Sequence, residues 1–410
     1  MSSSEKNKTL FFFTASFPYG NKAETFIETE IRYLTASFEK IVIFPSSAES
    51  SFIRPVPENV EINNSFMNLS LSRKKKTRMI IKWFWSFCTV ILSEINDKGL
   101  KNIIRHIKIY SDIFSYQAAK ASILCNVMET SCSEEKVFYD YWFENSTLAL
   151  SLLTRKKIIK DFICRGHRFD IYDECWAKTG VPYRAFKIKY IKKIYIVSEY
   201  GKQYFAEKLK SKALENKIQK EYLGINKRRS VGVVKNPTPL IISASSVSNR
   251  KNVIHIPDLI KNIKTELRWV HFGDGEEMTL LKQKCLSLPK NIDWNLMGHV
   301  DNKYLIEFYI NNYVDLFLSL SESEGLPVSM MEAQSFGIPI ISFPVYGIPE
   351  IVKDGLTGFC LKHYSDVDSN VKTLEYALKY PFERPKIISF FEQNFDAANN
   401  YRKFVDEISA

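Results

Sequence analysis

Apolar residues in this chain fall into short runs of strand length that alternate with stretches of helical period. Residues 313–320 pass into VDLFLSL, which predicts a strand buried in a parallel sheet. Pro327 presets the helical φ where a missing N–H costs nothing, so a helix is predicted to begin there. Met330, Met331, Ala333, Gln334 and Phe336 continue it, Gly337 supplies a left-handed cap, and Pro339 bars its extension. Residues 340–343 are the next strand. A strand, loop, helix and strand in this order form a right-handed crossover unit, whose first loop is where open parallel sheets take ligands.

The same alternation runs through the rest of the chain. Residues 10–14 predict a strand, 16–24 a turn-rich loop, and Phe26 or Ile27, Ile31, Leu34 and Phe38 a helix with one buried face. A strand at 40–44 completes the first half of a doubly wound sheet. Residues 136–143 and 158–165 read as further strands or strand ends with a helix at 149–153 between them, and 193–198 as a last strand before a helix at 199–210. The composition changes at 230–239, where VKNPTP marks a linker or domain entry. A second sheet is predicted from 239–244 and 268–272, Pro257 implies a helix that is kinked or starts late, and 397–408 is the last helix. The sequence therefore predicts an α/β chain of two doubly wound domains joined near Ser230.

One segment stands apart. The basic run RKKKTR at 73–78 precedes MIIKWFWSFCTVIL, in which Ile80, Phe84, Phe87 and Ile91 would share one helical face. It reads equally as a segment lying in a membrane interface and as a core helix with a basic cap, since fourteen residues interrupted by Lys82 are too short to span.

Composition narrows the class. At 410 residues the chain is long enough for two ordinary domains, and its hydrophobic fraction of 45% is that of a soluble protein. No apolar run reaches roughly eighteen residues, and the N-terminal apolar piece is too short for a signal peptide, so a cytoplasmic protein is expected. The cysteines at 88, 125, 132, 164, 175, 285 and 360 lack any C-x-x-C pair and read as reduced thiols, with no metal assigned to them. A net charge of +11 suggests a polyanionic partner such as nucleic acid or an anionic membrane. Between Arg184 and Arg229 fourteen Lys or Arg face four Glu, but no RNA-binding aromatic motif accompanies them. Solvated helix faces account for most of that run, and nucleic acid is not expected as a partner.

Candidate chemistry centres on Glu324 and Glu332. They lie before and inside the predicted helix, one to two turns apart at about 1.5 Å of rise per residue, so they could flank an extended ligand. The exposed amides at the helix start suit a phosphate. Each Glu alone also reads as a macrodipole partner or a solvated face. Asp366 and Asp368 of DVDSN imitate a metal-binding pair but read better as a helix N-cap. Gly273, Asp274 and Gly275 fail as a dinucleotide fingerprint because Met278 stands where a third glycine belongs.

Taken whole, S-x-S-E-G-L-P-V-x-x-x-E-A-x-x-x-G-I-P-I from Ser321, followed by G-x-P-E-I-V and D-G-x-x-G-F, resembles the retaining nucleotide-sugar glycosyltransferases of family four, the glycosyl transferases group 1, of GT-B fold. The resemblance is close in the C-terminal half and loose in the N-terminal half. It implies two Rossmann-like domains facing a central cleft: 1–230 on the acceptor side, 231–390 binding the nucleotide sugar, and a helix at 391–410 returning to the first. It implies transfer of a sugar from a nucleoside diphosphate sugar, such as a UDP-sugar, to a hydroxyl of a glycan or lipid-linked glycan in bacterial cell-surface polysaccharide synthesis. Configuration would be retained without metal or cofactor. The membrane-interface reading of 73–95, drawn from its own residues, would add peripheral membrane contact.

The implied roles follow residue by residue. Glu324 would lie by the donor sugar, Lys251 with Gly325 and the amides near Leu326 and Val328 would take the diphosphate, and Glu332 would bind the ribose hydroxyls. The family places an Arg where this chain has Ser246, and Arg250 could substitute. Gly273 and Gly275 resemble the strand end that turns toward the nucleotide, and Gly298 and Val300 the one that meets the base, with His299 a wall. In the first loop Gly20 and Glu24 match, but Ala23 replaces a glycine. Arg165-Gly166-His167 resembles a subgroup acting on bacterial polysaccharides and would put His167, as a catalytic group, on the first domain's rim facing the cleft. A nucleotide-sugar epimerase of the same architecture and a noncatalytic binding subunit are the alternatives.

Overall fold

The computed structural model describes residues 8–21, 23–67, 69–129, 135–209, 211–228 and 233–410. Contacts divide the chain into two units, 1–223 with 401–410, and 224–400. The join expected near Ser230 lies outside the described residues, as do Cys132, Lys210 and Arg229.

The N-terminal unit comprises, in chain order, β1 (Lys8–Thr14), α1 (Ile27–Ser37), β2 (Lys40–Pro45), β3 (Val60–Ile62), α2 (Arg73–Lys82), α3 (Phe84–Lys98), α4 (Leu100–Glu129), β4 (Glu135–Asp140), α5 (Thr147–Arg155), β5 (Ile163–Gly166), α6 (Arg168–Ile171), α7 (Arg184–Tyr190), β6 (Lys193–Ile196), α8 (Glu199–Glu207) and β7 (Ile218–Lys220). Its seven strands are ordered β3-β2-β1-β4-β5-β6-β7, all parallel. Both faces of β1 are covered, which is why LFFF carries no polar alternation. Beneath the sheet Arg165 is fully buried, bonding Glu30 of α1 at 3.1 Å and the Tyr139 hydroxyl at 2.9 Å, so one ionic group fastens α1 to β4 and β5.

The C-terminal unit comprises β8 (Leu240–Ala244), α9 (Ile256–Ile260), β9 (Leu267–Phe272), α10 (Met278–Cys285), β10 (Ile292–Leu296), α11 (Asn302–Asn311), β11 (Leu316–Ser319), α12 (Val328–Ser335), β12 (Ile340–Ser342), α13 (Ile348–Ile351), β13 (Gly358–Cys360), α14 (Val367–Lys379) and α15 (Arg384–Phe395). Its six parallel strands are ordered β10-β9-β8-β11-β12-β13. The last helix, α16 (Ala397–Ser409), starts in this unit, but Phe404, Val405 and Ile408 join the core of the N-terminal one.

Both sheets thus share one Rossmann-like order, in which the strand sequence reverses between β1 and β4 and between β8 and β11. Ligands of open α/β sheets bind at such a reversal, outside the strands' carboxyl ends.

Several expected elements are corrected. The helix read through 79–92 is two, α2 and α3, parted at Trp83 (φ −111°, ψ 27°). Its indole turns inward and donates to Ser122 Oγ at 3.1 Å, so Ile80 on α2 is parted from Phe84, Phe87 and Ile91, which keep helical spacing on α3. The strand expected at 136–143 ends at Asp140, whose carboxylate accepts from Ser146 N and Thr147 Oγ1 and turns the chain into α5. Of 158–165, read as a strand or a strand end, only the end from Ile163 is strand. Pro327 is the N-cap of α12, in extended conformation (ψ 115°), and not its first helical residue. Near Pro257 the helix starts late, after a single 3-10 turn at Val253–His255.

Candidate donor site

The loops that follow β8 and β11 flank the reversal of the C-terminal sheet, and they are tied together. Arg250 O accepts from Glu322 N at 3.0 Å, Arg250 Nη1 donates to Ser323 O at 3.3 Å, and Lys251 Nζ pairs with Glu324 Oε1. Asn252, in the left-handed region (φ 53°), turns the chain so that Lys251 reaches this partner. The sheet order therefore brings Glu324, Lys251 and Arg250 to one place. Gly325 and Leu326, both buried, lead into α12, whose N-cap Pro327 has no side-chain acceptor for the first amides. Val328 opens the helix half-buried, so its terminus presents N–H groups where an anion could bind.

Glu332, a turn further on, is buried and accepts from Asn302 Nδ2 at 2.8 Å. Burial pushes its carboxyl up to about 7, against the opposing pull of Asn302 and Arg228. Tyr309 faces it across the helices, and burial followed by the nearness of Glu332 raises that phenol well above its ordinary range.

The glycines after β9 and β10 differ in their surroundings. A Cβ at Gly273 (φ 143°) would stand 1.8 Å from Ser245 O, and one at Gly275 would stand 2.3 Å from Val247 O. Both are required by the close passage of the loop after β8. Gly298 (φ 70°) has open space around it, and its carbonyl accepts from Gly273 N at 2.8 Å. Val300 follows, half-buried, and His299 is exposed. Asp366 caps α14 through Ser369 N at 3.2 Å, as the sequence predicts.

In the N-terminal unit the corresponding reversal is also closed by side chains. The Glu24 carboxylate accepts from the amides of Ala15 (3.0 Å), Ser16 (2.6 Å) and Phe17 (2.6 Å), and from Trp142 Nε1 at 2.5 Å in the loop after β4. The acceptor directions of Glu24 are thus spent on its own loop and on Trp142. Glu24, matched to the family's first loop, holds that loop in place. Gly20 (φ 81°) is likewise pinned, its N donating to Phe52 O at 2.8 Å and its carbonyl accepting from Arg54 Nε at 2.6 Å. Arg54 also donates to the carbonyls of Ala23 and Glu24, at 2.6 and 3.3 Å. Arg54 pairs as well with Glu28 Oε1 at 3.3 Å. Sequence reading missed this buried clasp, because most of its acceptors are backbone carbonyls that leave no mark in residue type. It also missed Lys120 of α4, whose Nζ meets Ser46 Oγ at 2.7 Å and Asn145 O at 2.8 Å; burial lowers that ammonium to about 8, with Asp140 opposing.

His167, expected on the first domain's rim, follows β5 and opens α6 as its N-cap. It is 7% exposed, boxed by Trp142, Tyr141 and Phe26 with ring centroids at 4.3, 5.0 and 5.9 Å. Neither ring nitrogen has a hydrogen-bond partner among the described residues. Burial, then Arg165, holds its pKa well below the usual value, so the imidazole is neutral. A separate cavity of about 890 Å³ lies at the amino-terminal edge of the same sheet, where Lys8 pairs with Glu135 at 3.7 Å and Lys193 with Glu407. Its charges are already matched, so it is a poor anion site.

Comparison with known proteins bears on the C-terminal unit most directly. The family described as glycosyl transferases group 1 matches residues 224–391. The GtfA subunit of the UDP-N-acetylglucosamine–peptide N-acetylglucosaminyltransferase of Streptococcus pneumoniae is 30% identical over 147 residues, 34% of this chain and 27% of that protein. The N-acetyl-alpha-D-glucosaminyl L-malate synthase of Bacillus anthracis is 31% identical over 124 residues, 28% of this chain and 30% of that protein. The chain thus spans less than a third of the length of these curated relatives. Among solved structures, the lipopolysaccharide outer core galactosyltransferase WaaB in its apo form matches with a TM-score of 0.67 at 17% identity over 98% of both chains. Anabaena Alr3699/HepE in complex with UDP matches with 0.64 at 13% identity, over 98% of this chain and 99% of that one.

Proposed function

The chain has the GT-B fold and its residues 224–391 are a domain of the glycosyl transferases group 1 family, and from that premise we propose that it is a glycosyltransferase. It takes a nucleoside diphosphate sugar as donor and a hydroxyl of a glycan or lipid-linked glycan as acceptor, with retained configuration and no metal, in cell-surface polysaccharide synthesis. The observation that carries this reading is the Lys251–Glu324 pair beside the open N-terminus of α12.

Glycosyl transfer separates an oxocarbenium-like sugar from a leaving diphosphate, so a catalyst must hold positive charge where the phosphate charge grows. Lys251 and the first amides of α12 are that charge, with Arg250 beside them. On donor binding Lys251 exchanges Glu324 for the diphosphate. The released Glu324 carboxylate then stands next to the departing sugar, where negative charge stabilises the cationic centre. Glu332, held by Asn302, accepts from the ribose hydroxyls.

Uridine serves as the first base to test, since the HepE neighbour was solved with UDP. Thermal shift with uridine, guanosine and adenosine diphosphates checks the donor reading. A ligand at a hundred times its Kd stabilises by about 2.7 kcal/mol. One nucleotide should raise the melting temperature in the parent chain, and by about half as much or less in Lys251→Ala, where a tenfold weaker Kd leaves about 1.4 kcal/mol. No shift with any of the three would overturn the reading.

A further inference from the structure

The helices between β3 and β4 leave a surface that the transfer reaction does not use. In residues 73–108 there are ten Lys or Arg and only two acids. One of the two, Glu94, is fully buried and pairs with Lys98 at 2.7 Å. Large apolar side chains nonetheless face solvent here, among them Trp85 (79% exposed), Ile81, Leu92, Leu100 and Ile104 (65% exposed). Trp85 and Leu92 are seven apart on α3, and Leu100 and Ile104 four apart on α4, so each pair lies on one helix face. Gly99 (φ 84°) turns α3 back along α4, and the Phe87 and Phe114 rings, 5.0 Å apart, hold that hairpin. On α2, Arg73, Lys74 and Arg78 line an open groove with Ile81. Lys101 and Arg105 stand one residue on from the apolar pair of α4 and so flank it.

We propose that this face, formed by α2, α3 and the start of α4, docks on an anionic phospholipid bilayer. Exposed aromatic and aliphatic knobs flanked by uncompensated cations are the chemistry of helices that lie in a headgroup layer, where the knobs leave water and the cations meet lipid phosphates. No helix among the described residues is long and apolar enough to cross a membrane, so the contact is with one surface. A second copy of the chain is a poor occupant, because two such basic faces repel. The interface segment read at 73–95 thus extends into α4, and its apolar knobs are the residues that the break at Trp83 turns outward. This inference does not depend on the transferase reading, and its test needs no donor.

The test is cosedimentation of the full chain with vesicles of phosphatidylglycerol and phosphatidylcholine, against phosphatidylcholine alone. Binding to the anionic vesicles is expected, falling as salt is raised. The variant Arg73→Glu/Lys74→Glu/Arg78→Glu should lower partition by roughly a hundredfold, at about fivefold for each cation lost. Trp85→Ser/Ile104→Ser should lower it by about tenfold or more with the melting temperature unchanged, while Leu286→Ser, an exposed leucine of the C-terminal unit, should bind normally. Absence of binding to anionic vesicles, or equal binding by all variants, overturns the proposal. So does a concentration-dependent dimer that Trp85→Ser abolishes in a chain that ignores vesicles.

Discussion

Lys251 and Glu324 form an ion pair that joins the loop after β8 to the loop after β11, across the point where the C-terminal sheet reverses its strand order. Seventy-odd residues separate them in sequence, and only the parallel pairing of β8 with β11 makes them neighbours. A charge-assisted bond is worth roughly 1.5–3 kcal/mol, so Lys251→Ala and Glu332→Ala should each weaken nucleoside diphosphate binding by about tenfold or more. Titration calorimetry on the folded variants checks this, and unchanged affinity in both removes the donor-site assignment.

Glu332 predicts a pH dependence. Its carboxyl is raised to about 7 from an ordinary 4.5, so between those values the folded chain keeps a proton that the unfolded chain has released. The stability it contributes is present in full below pH 4.5 and is lost as pH rises through about 7. Glu332→Gln, which cannot ionise, should be more stable than the parent at pH 8 by up to about 3 kcal/mol and should flatten the profile. Nucleotide affinity in the parent should rise as pH passes through 7, because the carboxylate is the stronger acceptor for ribose hydroxyls. A parallel profile in Glu332→Gln would assign the titration elsewhere.

Activity should survive a chelator, because Lys251 and the N-terminus of α12 supply the charge that a divalent ion would otherwise bring. Turnover in EDTA measures this. Complete loss, restored by manganese, would contradict it.

His167 makes a separate forecast. If its unpartnered nitrogens act on the acceptor or the transferring sugar, His167→Ala lowers turnover and leaves nucleotide affinity nearly unchanged. If the ring only fills its box of Trp142, Tyr141 and Phe26, then His167→Phe, which refills the box, should restore both the rate and the melting temperature. A stably folded His167→Phe without activity supports the chemical role.

The fold was largely legible because both sheets are built from runs that announce themselves. LFFF of β1, LIIS of β8 and LFLS of β11 are too apolar for anything but a doubly covered strand, and Gly337 (φ 71°) ends α12 where its residue type requires. What escaped was decided by partners distant in sequence. The break at Trp83 depends on Ser122 of α4, which no pattern within 79–92 contains. α4 itself was overlooked although Ile103, Tyr110, Phe114, Ala118 and Ala121 recur at helical spacing on its buried face. In the candidate site Glu324 and Glu332 were named from residue type and spacing, and Lys251 from the family resemblance. The occupied state of Glu24 and the clasp of Arg54 were not, since backbone amides and carbonyls supply most of both and Trp142, distant in sequence, supplies the rest of the first.

The central claim is that the surroundings of α12 bind a nucleoside diphosphate sugar and release its diphosphate. It is tested most directly by incubating the purified chain with uridine, guanosine and adenosine diphosphate sugars and measuring free nucleoside diphosphate. The account predicts release from one donor class, lost by tenfold or more in Lys251→Ala and in Glu332→Ala at unchanged melting temperature. Release from no donor, or equal release by the parent and both variants, would contradict it.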